Sequence, residues 1–431
     1  MEAPFWPLAI ALVVASGCSS TIASEAADDR SPGTLVIAGG AVKPGNAAVF
    51  GAFIDAIPGD GRIAVISAAS GAPVESANRF QQALSSRGID SSRVVHVRLA
   101  VSDDESTPLV DERRWAGNAD DPDEIAKIAD ADAVWFTGGD QSRLTQVLLD
   151  DDGRATPLLV RIRERHAVGA AIGGTSAGAA IMSDPMITGG ETLATLLAGR
   201  ATGERLSTGR GLGFFECGLV DQHFDARSRL GRLAVALERV DADCRLGLGI
   251  DEDTALVFDP ASRSAMIAGS GGVTVIDARA AEWQHAESGV SVRGIVVSVL
   301  SPGDRFGLES GRYENADYLE PTVGNEYNDT PPVSAGGIAV PFAGLARLLG
   351  EQLLDNEGAA SLDSYSVFIA ETAGQESAVS GAGVLYRFRQ ADDSAGYWGY
   401  DENGKSRYSS INVRLDIIPV DLTVRAPYRD Q

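Results

Sequence analysis

Ser176 stands in a run made almost entirely of small residues, Ala170-Ala171-Ile172-Gly173-Gly174-Thr175-Ser176-Ala177-Gly178-Ala179-Ala180. Gly174 to Gly178 fits the G-x-S-x-G pattern, in which small neighbours let the chain turn sharply at the serine. A turn of that kind, between a strand and a helix, exposes the hydroxyl for attack on a carbonyl carbon. The free N–H groups at the helix start would face the developing oxyanion, which makes Ala177 N–H one expected donor. A second glycine pair lies in Thr137-Gly138-Gly139-Asp140-Gln141. Adjacent glycines allow close backbone approach to a ligand, so Gly139 is the expected second donor.

A serine hydroxyl needs a base. Of His96, His166, His223 and His285, only His223 has a suggestive setting, Val220-Asp221-Gln222-His223-Phe224, with Arg227, Arg229 and Arg232 following. Leu230, Leu233, Ala234 and Leu237 recur at helical spacing. That spacing puts Arg229 and Arg232 on one face and Arg227 before the helix or at its start. Beside the base, these three guanidiniums are expected to bind a substrate carboxylate. A solvated basic face is the alternative, and it is the reading for Arg239. Downstream, Leu246 to Ile250 reads as a strand ended by Asp251-Glu252-Asp253, and one of these acids can orient His223. The order Ser, His, acid departs from that of α/β-hydrolases. It points instead to a sheet like that of class I glutamine amidotransferases, in which a cysteine holds the nucleophile's place.

The elements that must position these groups are legible in outline. Thr34–Ala38, Arg62–Ser67, Val94–Leu99, Ala133–Phe136 and Val168–Ile172 are short apolar runs bounded by turn residues. Strands buried on both faces of a parallel sheet read this way. Helical patterns lie between them at Ala47–Ile57, Ser76–Arg87, Ile125–Ala131, Ser142–Leu149 and Leu158–His166. The alternation predicts an α/β fold, an open, mostly parallel sheet with helices on both faces. Sites in such sheets form beyond the carboxyl ends of the strands. Past about Asp277, alternating stretches such as Ser291–Leu300, Ser364–Ala370 and Ser409–Val424 predict a β-rich C-terminal region.

Four motifs in this order, Gly173 to Ala179, Thr137 to Gln141, Asp221 to Phe224 with its three arginines, and Gly249 to Ala255, resemble the cyanophycinase family. These are serine peptidases related to aspartyl dipeptidase, and the match covers about Gly33 to Ala278. The resemblance implies cleavage of cyanophycin, a poly-aspartate with arginine on each side-chain carboxyl, to β-Asp-Arg dipeptides. It also implies Ser176 as nucleophile, His223 as base and Glu252 as acid. Substrate contacts map to Gln141, Asp221, Gln222, Arg227, Arg229 and Arg232, with Asp221 or a neighbouring acid expected to meet a guanidinium. No cofactor or metal is expected.

The chain's ends lie outside that pattern and resemble the secreted form of the family. Pro7 to Ala15 is a short apolar run followed by Ala15-Ser16-Gly17-Cys18. It reads as an export signal of lipoprotein type over residues 1–18, with Cys18 as a possible site of lipid attachment and an envelope or extracellular location. Residues 19–32 read as a flexible tether, 33–278 as the catalytic domain and 279–431 as the β-rich extension. The formal charge of −24 argues against nucleic acid and anionic membranes as partners. Cys217 and Cys244 are read as two buried thiols, although an oxidising compartment would allow them to pair. The oligomeric state is open, a homodimer among the options. Two rival functions remain, an exported Asp-X dipeptidase and a non-enzymatic surface lipoprotein that binds an arginine-rich polymer.

Overall fold

Five apolar runs become strands of one parallel array because both of their faces are covered. They are β1 (Leu35–Ala38), β2 (Arg62–Ile66), β3 (Val94–Val97), β4 (Ala131–Phe136) and β5 (Ala171–Thr175). All lie in the computed structural model, which describes residues 31–216, 218–332, 344–368 and 378–425. The expected export signal with Cys18, almost all of the tether, and Cys217 fall outside those residues. The parallel order is β1-β5-β4-β2-β3. The three inner strands β5, β4 and β2 are almost wholly buried, while β3 closes an edge and is half-buried over most of its length.

Helices α1 (Ala47–Asp55) and α2 (Pro73–Ser85) cover one face. Phe53 and Phe80 pack there against Trp135 of β4, with ring centroids 4.8 and 4.9 Å from the indole. Helices α3 (Pro122–Ala129), α4 (Gln141–Leu148) and α5 (Pro157–Ala167) cover the other, through Ile128, Leu144, Leu148, Leu159 and Ile162. Pro122 and Pro157 open their helices at the first turn, where no N–H is needed, and Asp121 and Thr156 cap them. The fifth strand begins three residues later than the sequence predicts. Val168 still closes α5, and Gly169 reverses the chain at φ 109°.

Beyond the elbow the chain forms α6 (Ala177–Ala180), β6 (Met186–Gly189), α7 (Thr192–Leu196), β7 (Ser207–Gly209), β8 (Leu219–Gln222), α8 (Leu230–Ala236) and β9 (Leu246–Ile250). It continues through β10 (Thr254–Asp259), β11 (Ser264–Gly269), β12 (Val273–Asp277), β13 (Glu282–Ala286) and β14 (Gly289–Leu300). Antiparallel β10 and β11 extend the first sheet from β1. Strands β8 and β9, although parallel to each other, belong to a second sheet. There β9 pairs with β12, β12 with β14, and β14 with the long strand Ser406–Arg425. Strands β13, β14 and Ser406–Arg425 therefore share a sheet with the strands that lead to His223 and Asp251, Arg305–Gly307 joins the first sheet beside β11, and the described residues form one compact unit. Cys244 is disulfide-bonded, which corrects the expectation of a buried thiol at that position.

Candidate active site

The carboxyl end of β1 supplies the frame. Three successive carbonyls, of Ala38, Gly39 and Gly40, accept the backbone N–H groups of Ser176 (3.0 Å), His223 (2.6 Å) and Asp253 (2.8 Å). One short loop thus ties together three segments far apart in sequence. Gly40 lies at φ 104°, and a Cβ there would sit 2.3 Å from His223 Nε2. Nothing larger than glycine leaves room for the imidazole.

Ser176 takes φ 55° and ψ −111° between β5 and α6. That strained backbone for a non-glycine residue is what the sharp turn requires. Its Oγ lies 2.9 Å from His223 Nε2, and His223 Nδ1 lies 2.7 Å from Glu252 Oε1. His223 is itself at φ 49° and is almost fully buried. Burial holds its pKa below the usual histidine value, the Glu252 hydrogen bond opposes that, and the charge of Arg227 adds to it. The imidazole is therefore neutral at neutral pH, and with Nδ1–H donated to Glu252 its Nε2 is free to accept a proton.

The three adjacent acids point three ways. Only Glu252 meets His223. Asp251 accepts N–H groups from Asp225 (3.1 Å) and Gly272 (2.9 Å), and burial pushes its carboxyl up to about 7. Asp253, at φ 56°, accepts from Lys43 N and Asn46 Nδ2 and bonds the Ser270 hydroxyl.

A cavity of about 580 Å³ opens over Ser176, with Gly139, Gln141, Gln222, Arg227, Arg229 and Arg232 in its lining. Gly139 is at φ 145°, and a Cβ there would lie 2.0 Å from Ala69 O. Among the described residues, no protein acceptor takes the N–H of Gly139 or of Ala177.

The polar wall differs from its sequence reading in three residues. Asp221, expected to face a substrate guanidinium, is buried and already holds two arginines. It bonds Arg232 Nε (2.8 Å) and Nη2 (2.6 Å), and Arg229 Nη1 at 3.3 Å. Arg232, expected to bind a carboxylate, gives its remaining Nη1 to Gly190 O at 2.7 Å. Gln141 donates its amide to Ile187 O (2.9 Å) and Thr188 O (3.2 Å), so part of its capacity holds β6 in place. Arg229, at the N-cap of α8, donates Nη1 also to Gln222 O. Burial lowers its pKa to about 10, with Asp221 opposing and Arg232 and Arg227 adding to the fall. Arg227 is exposed and has no side-chain partner among the described residues.

Sequence reasoning missed the Ala38–Gly40 frame, visible only as a strand end rich in glycine. It also missed Glu191 and Glu204, which line the same cavity as the arginines. The doublet Gly189-Gly190 before Glu191 was the available signal. Among the described residues, no group of histidine, cysteine, aspartate or glutamate side chains is arranged to hold a metal ion.

The model of peptidase family S51 matches residues 116–264. A protein of Geminocystis herdmanii described as a cyanophycinase is 34% identical over 254 residues, which cover 57% of this chain and 82% of that one. One from Trichormus variabilis, described likewise, is 40% identical over 194 residues, covering 42% of this chain and 59% of that one. The crystal structure of a peptidase from an acI-B1 actinobacterium overlaps 57% of this chain at 22% identity, with a TM-score of 0.39.

Proposed function

The chain belongs to peptidase family S51 and is a peptidase, and from that premise we propose that it hydrolyses cyanophycin to β-Asp-Arg dipeptides through a covalent acyl-enzyme on Ser176. The observation that carries this reading is the continuous contact from Ser176 Oγ through His223 to Glu252 at the floor of a charged cavity. Oγ attacks the scissile carbonyl carbon while its proton passes to His223 Nε2. Glu252 stabilises the imidazolium through Nδ1–H, and the N–H groups of Gly139 and Ala177 receive the oxyanion. Collapse of the tetrahedral species breaks the C–N bond, and the leaving amine takes the proton from Nε2. A water, deprotonated by the same nitrogen, then attacks the ester and frees the serine.

The relatives described as cyanophycinases support the substrate. So does the free guanidinium of Arg227 together with the unoccupied donors of Arg229, which can take a substrate carboxylate. The work is done outside the cytoplasm, at the cell envelope or beyond it. The reading of residues 1–18 as an export signal and the disulfide at Cys244 support that location. Incubation with cyanophycin granules followed by mass spectrometry tests the function. Release of β-Asp-Arg as the main product supports it. Intact granules, or casein cut as readily as cyanophycin, would overturn the substrate.

A further inference from the structure

The lining of the cavity over Ser176 carries both basic and acidic groups. Arg227, Arg229 and Arg232 have a single carboxylate, Asp221, among them, leaving a formal surplus of two positive charges. The limb between β6 and β7 brings Glu191 and Glu204 to the same lining. Among the described residues neither glutamate has an ion-pair partner. Arg205, next to Glu204 in the chain, forms no ion pair among these residues, while Arg200 is held by Asp421 and Arg210 by Asp184.

The acidic limb is held firmly. Gln141 ties down Ile187 and Thr188, Arg232 ties down Gly190, and the Thr192 hydroxyl donates to Ser228 O. Glu191 N donates to Glu204 O at 2.8 Å, so the backbones of the two acidic residues are adjacent in the limb. Their carboxylates lie across glycines. A Cβ at Gly189 would sit 2.3 Å from Glu204 Oε1, and one at Gly203 would sit 2.4 Å from Glu191 Oε2. Arg232 of the buried arginine cluster therefore helps to fix the acidic limb.

A separate observation points to a ligand in the same space. Gln222 lines the cavity, is 6% exposed, and its Oε1 has no hydrogen-bond partner. A buried acceptor left without a donor is costly, and a bound N–H group would satisfy it.

We infer that Glu191 and Glu204 form the guanidinium site of this cleft, and that they, rather than Asp221, select the arginyl branch of the substrate. The inference rests on the proposed cleavage at Ser176. Two carboxylates on one lining carry like charge, and the planar fork of a guanidinium can meet carboxylates with paired hydrogen bonds. A lining with both kinds of charge suits a zwitterion with a carboxylate at one end and a guanidinium at the other. Poly-aspartate without branches would leave the two glutamates unpaired.

The test uses full-length Ser176→Ala protein, which holds ligand without turnover, and calorimetric titration with β-Asp-Arg and with β-Asp-citrulline, its uncharged counterpart. β-Asp-Arg should bind more tightly. Adding Glu191→Gln and Glu204→Gln together should weaken β-Asp-Arg by about ten- to a hundredfold and leave β-Asp-citrulline nearly unchanged. Equal affinities for the two ligands, or no loss in the glutamine variant, overturn the inference while the peptidase reading stands. If the wild-type enzyme fails to cleave cyanophycin but binding depends on the two glutamates, the substrate reading falls and the guanidinium site remains. Circular dichroism of the glutamine variant checks its fold, and each single glutamine variant, expected to lose about half of the effect on a logarithmic scale, serves if the pair does not fold.

Discussion

The molecule contains two serine–histidine contacts of nearly equal length. Ser176 Oγ lies 2.9 Å from His223 Nε2, and Ser67 Oγ lies 2.8 Å from His96 Nε2. Both histidines have pKa values lowered first by burial, and His96 is pushed down to about 4, with the charge of Lys127 adding to the fall. By distance and protonation state the two pairs are alike. They differ in what surrounds them. His223 has Glu252 on Nδ1, whereas among the described residues His96 Nδ1 has no acceptor. Ser176 lies in a cavity wall on a strained turn, while Ser67 is fully buried at the end of β2. A serine–histidine hydrogen bond is therefore not a site. Access for a carbonyl, an orienting acid and oxyanion donors distinguish a reactive pair from one that merely satisfies two buried polar groups.

The strongest way to break this comparison is to remove each serine. Ser176→Ala should lower kcat by about a millionfold, while Ser67→Ala should leave kcat within about twofold. Steady-state assays on cyanophycin decide it, and substantial turnover by Ser176→Ala would falsify the mechanism. Next in size are changes that leave the pair in place but disturb its support. Glu252→Gln should cost about a hundred- to ten-thousandfold in kcat. Gly40→Ala should also reduce kcat far more than it changes KM, because the added methyl meets His223 Nε2. A KM effect alone would place Gly40 outside the chemistry.

The pH dependence separates the two histidines by readout. His223 must be neutral to act as base, so kcat/KM should fall on acidification through a midpoint below 6.5. Glu252→Gln removes the contribution that raises this pKa, and its acid limb should move to lower pH. A midpoint above 6.5 in the wild type would contradict the burial argument. His96 should appear in stability instead. Its folded pKa of about 4 lies below the ordinary histidine value of 6.5, so the folded state binds fewer protons than the unfolded state between those values. Its stabilising contribution is complete above about pH 6.5 and is lost as pH falls towards 4, by at most about 3 kcal/mol. Urea melts over that range should show a shallower pH slope for His96→Gln than for the wild type. The smallest effect expected is that of Ser67→Ala on stability, about 1–3 kcal/mol from the unpaired imidazole nitrogen.

Much of the reactive pair was legible in the chain. The small residues around Ser176, the glycine pair before Asp140 and the histidine after a buried run all report local requirements, and local requirements leave local patterns. The same patterns were less informative about partners. Asp251, Glu252 and Asp253 are equivalent as neighbours of a strand end, and only the turn at Asp253, drawn in by Gly40 O, sends Glu252 alone towards the base. Asp221 and Arg232 looked like substrate contacts because a charge beside a catalytic motif suggests a ligand. Helix α8 instead folds back so that they meet each other.

What the sequence determined by itself were the elements whose energetics are local: the parallel runs, the proline-opened helices, the elbow and the chemical types at its lip. Tertiary structure decided which charges face a ligand and which face one another. It drew β8 and β9 into a sheet with the C-terminal strands, and it brought Glu191 and Glu204 to the same cavity as the arginines. The physical reason is that a turn or a cap is decided by residues within a few positions of one another. An ion pair depends on distance in space, and segments as far apart as Ala38, Ser176, His223 and Asp253 meet only once both sheets have formed around the Gly39–Gly40 loop.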